Sequence, residues 1–171
     1  MLEYANMSKM VGKSNLWFTN VKRAPKELVR LGIVRKESIK YHEQMRLENP
    51  VVLDPAAKIT LSPKDNFKEI IFGGILGDDP PRARTEEELS KFLPYQRRNL
   101  GKEQMATNTA VLVAKRISEG TPFDKLMFQD TIEIPIREGE DVILPYRYLI
   151  ENNKPILPEG LIEFLKRKRT F

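Results

Sequence analysis

The chain of 171 residues contains no cysteine and a single histidine, His42. Without cysteine there is no disulfide framework, no thiolate zinc site and no thiol nucleophile. One histidine cannot supply a histidine-dependent triad or a histidine metal cluster, so no metal site is expected. Long hydrophobic runs are missing too. Nothing approaches the roughly 20 apolar residues that cross a bilayer, and no signal-peptide pattern opens the chain. These absences leave a soluble cytoplasmic protein with no membrane partner as the default expectation.

What is present suits one folded domain. Hydrophobic residues make up 40% of the chain, with eight Phe, five Tyr and one Trp, enough for a real core. The net charge of +5 is uneven. The first 50 residues hold ten Lys/Arg against five Asp/Glu, and the other 121 hold nineteen of each. Lys22, Arg23, Lys26, Arg30, Arg35, Lys36 and Lys40 carry the excess. Such a face attracts RNA or an acidic protein surface, or is simply solvated. The basic run Lys166–Arg169 suits a helix C-terminus, where cations meet the dipole.

Periodicity predicts a helix over Met1–Val11, ended by Gly12, then a short buried strand over Leu16–Thr19. Pro25 opens a helix to Leu31. Glu37–Arg46 is ambiguous. Val51–Leu53 reads as a strand broken by Asp54-Pro55, and Ser62–Asp65 as a helix-start pattern. Glu69–Phe72 reads as the central strand, released by Gly73 and Gly74. Thr85 and Glu88 form a capping box for a helix to Phe92. Thr107 or Asn108 caps a helix that stops at Gly120. Short strands follow at Leu126–Phe128, Ile132–Ile136, Val142–Leu144 and Arg147–Leu149. The last helix runs Pro158–Lys168, with Leu161, Phe164 and Leu165 inward. This alternation favours an α/β fold with a mainly parallel sheet flanked by helices. Ligands then bind beyond the carboxyl ends of the strands.

Two loops stand at such ends: Phe72–Thr85, FGGILGDDPPRART, and Asn99–Ala114, NLGKEQMATNTAVLVA. Gly73, Gly74 and Gly77 allow close backbone approach to a ligand. Their spacing fits neither a dinucleotide fingerprint nor a P-loop. Asp78 and Asp79 suit a cationic ligand such as a sulfonium, or are acids on a tight turn. Arg82 and Arg84 hold an anionic substrate, polarise an acceptor, or pair with nearby acids. Arg97, Arg98 and Lys102 form a basic cluster suited to an RNA backbone. Gln104 offers an amide, while Leu100 and Met105 line an adenine pocket or pack in the core. Tyr146–Tyr148 and Pro155–Pro158 suggest a third wall.

Taken together, the segments Asn15–Asn20, Phe72–Asp78, Pro80–Thr85, Arg97–Gly101, Gln104–Val111, Pro145–Tyr148 and Pro155–Pro158 resemble the SPOUT-superfamily methyltransferases. The resemblance is to the archaeal and eukaryotic group that contains the yeast enzyme methylating an arginine of ribosomal protein uS3. It extends over nearly the whole chain, and Leu100–Ala110 is similar to the superfamily's LG-x-x-x-L/M-x-x-x-TA motif. It implies one SPOUT-like domain over 1–171 with a C-terminal deep trefoil knot, lacking the group's usual first strand. It implies S-adenosyl-L-methionine as cofactor, contacted by Phe72, Gly73, Gly74, Ile75, Leu76, Asn99, Leu100, Gly101, Gln104, Met105, Tyr148, Ile156 and Leu157. The expected catalytic set is Asp78, Asp79, Arg82 and Arg84. The acceptor is an RNA or a ribosomal-protein arginine, and a homodimer through the knot helices is within the superfamily's habit. The alternative is a cofactor-binding or ribosome-associated RNA- or protein-binding module without transfer activity.

Overall fold

A computed structural model describes residues 1–73, 85, 89–137 and 139–168. In chain order the elements are α1 (Leu2–Val11), β1 (Trp17–Phe18), α2 (Lys26–Leu31), β2 (Ile33–Val34), β3 (Pro50–Leu53), β4 (Glu69–Phe72) and β5 (Gln96–Arg98). They are followed by α3 (Thr107–Ser118), β6 (Met127–Arg137), β7 (Glu140–Glu151), β8 (Lys154–Pro155) and α4 (Leu161–Lys168). The chain forms the expected α/β class in mixed sheets. β1 and β2 are a parallel pair, β4-β3-β5 a parallel sheet in that order, and β6-β7-β8 an antiparallel one. The expected knot involves residues 74–84, which lie outside the described residues.

The middle of the parallel sheet is β3, not the expected Glu69–Phe72 strand. Val51-Val52-Leu53 is uncharged and buried on both faces, as a central parallel strand requires. β4 begins with Glu69, whose carboxylate accepts the Asn49 N–H at 3.3 Å and needs an edge to stay hydrated. On one face of this sheet, Leu53 joins Leu61, Leu100, Leu112, Val113, Ala114, Ile117 and Leu149. On the other, Val52 and Ile71 pack with Leu89 and Leu93, and Ile39 leans on them. The alternation of Val52 and Leu53 between two clusters is the period of two that a strand imposes.

Several local expectations change. Trp17 is 39% exposed rather than buried, because a two-stranded pair covers one face; the Arg35 guanidinium lies 5.0 Å from its ring centroid. At Ser62–Asp65 the Ser62 N–H donates to Asp65 Oδ2 at 3.0 Å and the Asp65 N–H to the Ser62 carbonyl at 3.0 Å, which closes a turn with no helix behind it. Ala106, not Thr107 or Asn108, is the N-cap of α3; Asn108 and Thr109 are inside the helix and buried. The four expected short strands merge into the long hairpin β6–β7, with a register shift at Asp130/Ile132 where Thr131 takes a φ of 63°. Ile132, Ile134 and Tyr148 form its inner face, covered by Leu165 of α4. Phe164 is exposed instead of inward, since α4 is short and rests on the hairpin by one narrow stripe.

Candidate functional site

The carboxyl ends of the parallel strands lie side by side, with Phe72, Leu53 and Arg98 in register. The segments leaving them are Gly73 onward, Asp54 onward and Asn99 onward. This is the crevice where α/β sheets bind ligands.

Asn99 organises the second loop. Its Nδ2 donates to the Ala57 carbonyl at 2.7 Å, and its Oδ1 accepts from the Gly101 N–H at 3.0 Å and from Thr60 Oγ1 at 2.9 Å. Its main chain pairs with the 59–61 segment on both sides. Both Oδ1 acceptor positions and one Nδ2 donor go to the protein, so Asn99 shapes the loop. Gly101 then turns at a φ of 85°, and an added Cβ would lie 2.8 Å from Phe123 Cζ. Glycine is required twice over, by backbone conformation and by contact.

The third wall meets this loop directly. Gln104 carbonyl oxygen accepts the Arg147 N–H at 2.9 Å, and Met105 bridges to Arg147 as a parallel partner. The Ile156 N–H donates to the Leu149 carbonyl at 2.9 Å. Phe72, Met105 and Ile156 are half-buried against the same cluster that holds Leu100 and Leu149. Residues from three segments far apart in sequence thus share one apolar floor. Tyr148 and Leu157 belong to the neighbouring cluster on the opposite side of β7. Burial pushes the Tyr148 hydroxyl up to about 12, so it is a neutral phenol across physiological pH.

At the first loop, a Cβ on Gly73 would be 3.2 Å from Thr85 Oγ1 and 3.3 Å from its Cγ2. Gly73 therefore lets Thr85 close down on the end of β4. Gly74, Ile75, Leu76, Asp78, Asp79, Arg82 and Arg84 lie outside the described residues.

The expected basic cluster is divided. Arg98 donates from Nε and Nη2 to the two oxygens of Asp65, at 3.1 and 2.9 Å, and its guanidinium lies 5.1 Å from the Phe67 ring centroid. The Arg98 hydrogen bonds hold the Asp65 carboxyl below its ordinary range despite partial burial. Arg97 Nη2 donates to the Ser90 carbonyl at 3.1 Å, and Nη1 lies 3.7 Å from Asp54 Oδ2. Both arginines are thus engaged by the protein, leaving Lys102 as the exposed cation of the three.

Asp54 was legible only as a strand breaker. It is 1% exposed at the end of the central strand, and its Oδ1 accepts the Ala56 N–H at 2.9 Å. An acid placed directly after an uncharged apolar strand was the available clue. Asp54 starts the turn whose Ala57 carbonyl receives Asn99, so it holds the loop at one remove.

The apolar residues of the site suit an adenosyl group: Phe72, Met105 and Ile156 are half-buried on one cluster, while Gly73 and Gly101 let Thr85 and Phe123 close on the two loops around it.

Residues 1–170 match the family model described as SFM1-like: protein arginine N-methyltransferase SFM1-like. The chain is 34% identical over 187 residues to the protein arginine N-methyltransferase SFM1 of Saccharomyces cerevisiae, covering 98% of this chain and 87% of that protein. It is similar to the crystal structure of the yeast arginine methyltransferase SFM1 complexed with SAH, at 34% identity and a TM-score of 0.87 over 96% of this chain and 87% of that one. Similarity to the yeast structure complexed with SAM is equal in TM-score, over 98% of this chain and 83% of that one.

Proposed function

Because the chain belongs to the SFM1-like family of protein arginine N-methyltransferases, we propose that it transfers a methyl group from S-adenosyl-L-methionine to an arginine side chain of a ribosomal protein. The observation that supports this reading is that Phe72, Leu100, Met105 and Ile156, from three separate segments, share one apolar cluster at the strand ends. When bound, the cofactor supplies an electrophilic methyl on a sulfonium sulfur. The protein's task is to align an acceptor nitrogen with that methyl and to exclude water.

The acceptor nitrogen gains the methyl and sheds a proton, while the sulfonium becomes a neutral thioether. We assign Asp78 and Asp79 to guanidinium recognition and proton acceptance on their chemistry and their place in the sequence after Gly73. Arg82 and Arg84 are assigned to an acidic or phosphate-bearing neighbour of the acceptor. Tyr148 stays protonated and so supplies shape rather than a base.

No helix among the described residues is long and apolar enough to cross a membrane, and we place the protein in the cytoplasm with its substrate. A homodimer would use α4, whose Ile162 and Phe164 are exposed, because α3 is already buried under its own chain.

The test is transfer of labelled methyl to ribosomal proteins, followed by replacement of the labelled arginine with lysine. Label that persists in RNA and never enters an arginine would sink the assignment.

A further inference from the structure

A second site lies away from the strand ends. A cleft of about 650 Å³ is lined by Lys22, Lys36, Lys40, Asn20, Tyr41 and Gln44. Its walls are tied by main-chain bonds: the Asn20 N–H donates to the Glu37 carbonyl at 2.8 Å, and the Val21 N–H to the Arg35 carbonyl at 3.1 Å. Main-chain bonds therefore hold the part of the wall that carries Asn20, Lys22 and Lys36.

Its charge is unbalanced. Lys22, Lys36 and Lys40 are exposed, and among the described residues none of them has a carboxylate ion-pair partner. Glu37 is the acid among the lining residues. Lys40 also meets a second cation: the Lys40 and Lys91 ammonium groups lie 4.1 and 5.0 Å from the centroid of one ring, Phe92. Two like charges gathered on one aromatic repel each other, and a polyanion relieves that repulsion. Tyr41 lines the same cleft and is 64% exposed, its ring open to a stacking partner.

We propose that this cleft binds single-stranded RNA, as a docking site separate from the methyl-transfer site. Lysines take the phosphates, Tyr41 stacks a base, and the amides of Asn20 and Gln44 reach base edges. An acidic peptide would use the cations but has no use for an exposed ring beside two amides. The wall of the cleft packs on the sheet that carries the transfer site. Ile39, from the wall that carries Lys40 and Tyr41, and Leu89 and Leu93, which flank Lys91 and Phe92, pack on Val52 and Ile71. An RNA strand held here would fix the orientation of a ribosomal particle relative to the strand ends.

The experiment is fluorescence anisotropy of the full chain with a labelled ten-nucleotide uridine RNA, the same length of duplex RNA, and a poly-glutamate peptide. Single-stranded RNA is expected to bind best. Replacing Lys22, Lys36 and Lys40 together with glutamate should weaken it at least about tenfold and reduce the salt slope by about 2, the value for three phosphates. Tyr41→Ala should weaken it about fivefold or more with the slope unchanged, as loss of one stacked base does. Calorimetry with S-adenosyl-L-methionine should be unaffected in both variants, which separates this site from the cofactor site and shows that the variants are folded. Equal RNA binding by wild type and the triple variant, no RNA binding at all, or tighter binding of poly-glutamate would each overturn the proposal.

Discussion

The main-chain N–H of Arg147 donates to the carbonyl of Gln104 at 2.9 Å, joining two segments 43 positions apart in sequence. The same Arg147 clasps Asp130 across the hairpin, at 2.6 and 2.8 Å, and lies over the Phe128 ring. One residue thus ties the loop after β5 to both strands of the antiparallel ribbon. Loops that must hold a ligand gain from such anchoring, because their ordering is completed before binding.

Asn99 commits its side chain to three hydrogen bonds within the candidate site. Asn99→Ala removes three hydrogen bonds at once, and at about 1 kcal/mol each the expected loss is about 3 kcal/mol in urea unfolding. Asn99→Asp keeps the two accepted bonds and sets a carboxylate against the Ala57 carbonyl, so its loss should be smaller. S-adenosyl-L-methionine affinity is expected to fall in step with stability in both. Full affinity in a destabilised Asn99→Ala protein would show that this loop is not a cofactor wall.

Asp65 gives a pH signature. Its folded-state pKa is lowered, first by the Arg98 hydrogen bonds. A carboxylate with a depressed folded value stabilises the fold above its unfolded value and loses that contribution as pH falls through the folded one. Asp65→Asn should therefore be less stable than wild type at neutral pH, by about 1–3 kcal/mol. The two proteins should converge as pH falls through the lowered folded-state value of Asp65. Thermal melts across pH 2–7 measure this, and a constant gap at every pH would contradict it.

Much of this arrangement was readable in the sequence, and the failures have physical causes. Phe72–Gly73 and Asn99–Met105 were found because glycine after a strand has few other uses. The central strand was misplaced because Glu69–Phe72 and Val51–Leu53 have equal apolar weight locally. What separates them is Glu69, which caps Asn49 from an edge. Arg97 and Arg98 looked like a patch for phosphate because sequence shows charge but not partners. Asp65 and Ser90, 33 and 7 positions away, take them up. The long hairpin was read as four strands because Asp130-Thr131 and Pro145 interrupt its pattern. A bulge at Thr131 and the solvent side at Pro145 absorb those interruptions.

Tyr148 supplies an alkaline counterpart to Asp65. Its hydroxyl is pushed up to about 12, chiefly by burial, against an ordinary value near 10. A group raised in this way favours the fold below its unfolded value and loses that contribution as pH rises through the folded one. Wild type should lose stability between about pH 10 and 12, and Tyr148→Phe should lose less over that interval. The pH dependence of methyl transfer between 6 and 9 should be identical in the two proteins. A shifted profile in Tyr148→Phe would show that the phenol takes part in proton transfer.

Gly73 and Thr85 test whether the end of β4 must close to form the site. Gly73→Ala places a methyl 3.2 and 3.3 Å from two Thr85 atoms, a distance at which the threonine must move by a few tenths of an ångström. Gly73→Val adds two more carbons and cannot be accommodated by that shift. Because the strand ends rather than the core take up the change, melting temperature should fall only slightly, while S-adenosyl-L-methionine affinity should fall about tenfold for alanine and further for valine. Thr85→Ala in the Gly73→Ala background removes the two crowded atoms, so the coupling energy of the pair is the informative number. Recovery of affinity in the double variant would identify the displaced Thr85 segment as the cause. Persistent loss would mean that the added methyl meets the ligand itself. Unchanged affinity in both Gly73→Ala and Gly73→Val would remove this strand end from the site.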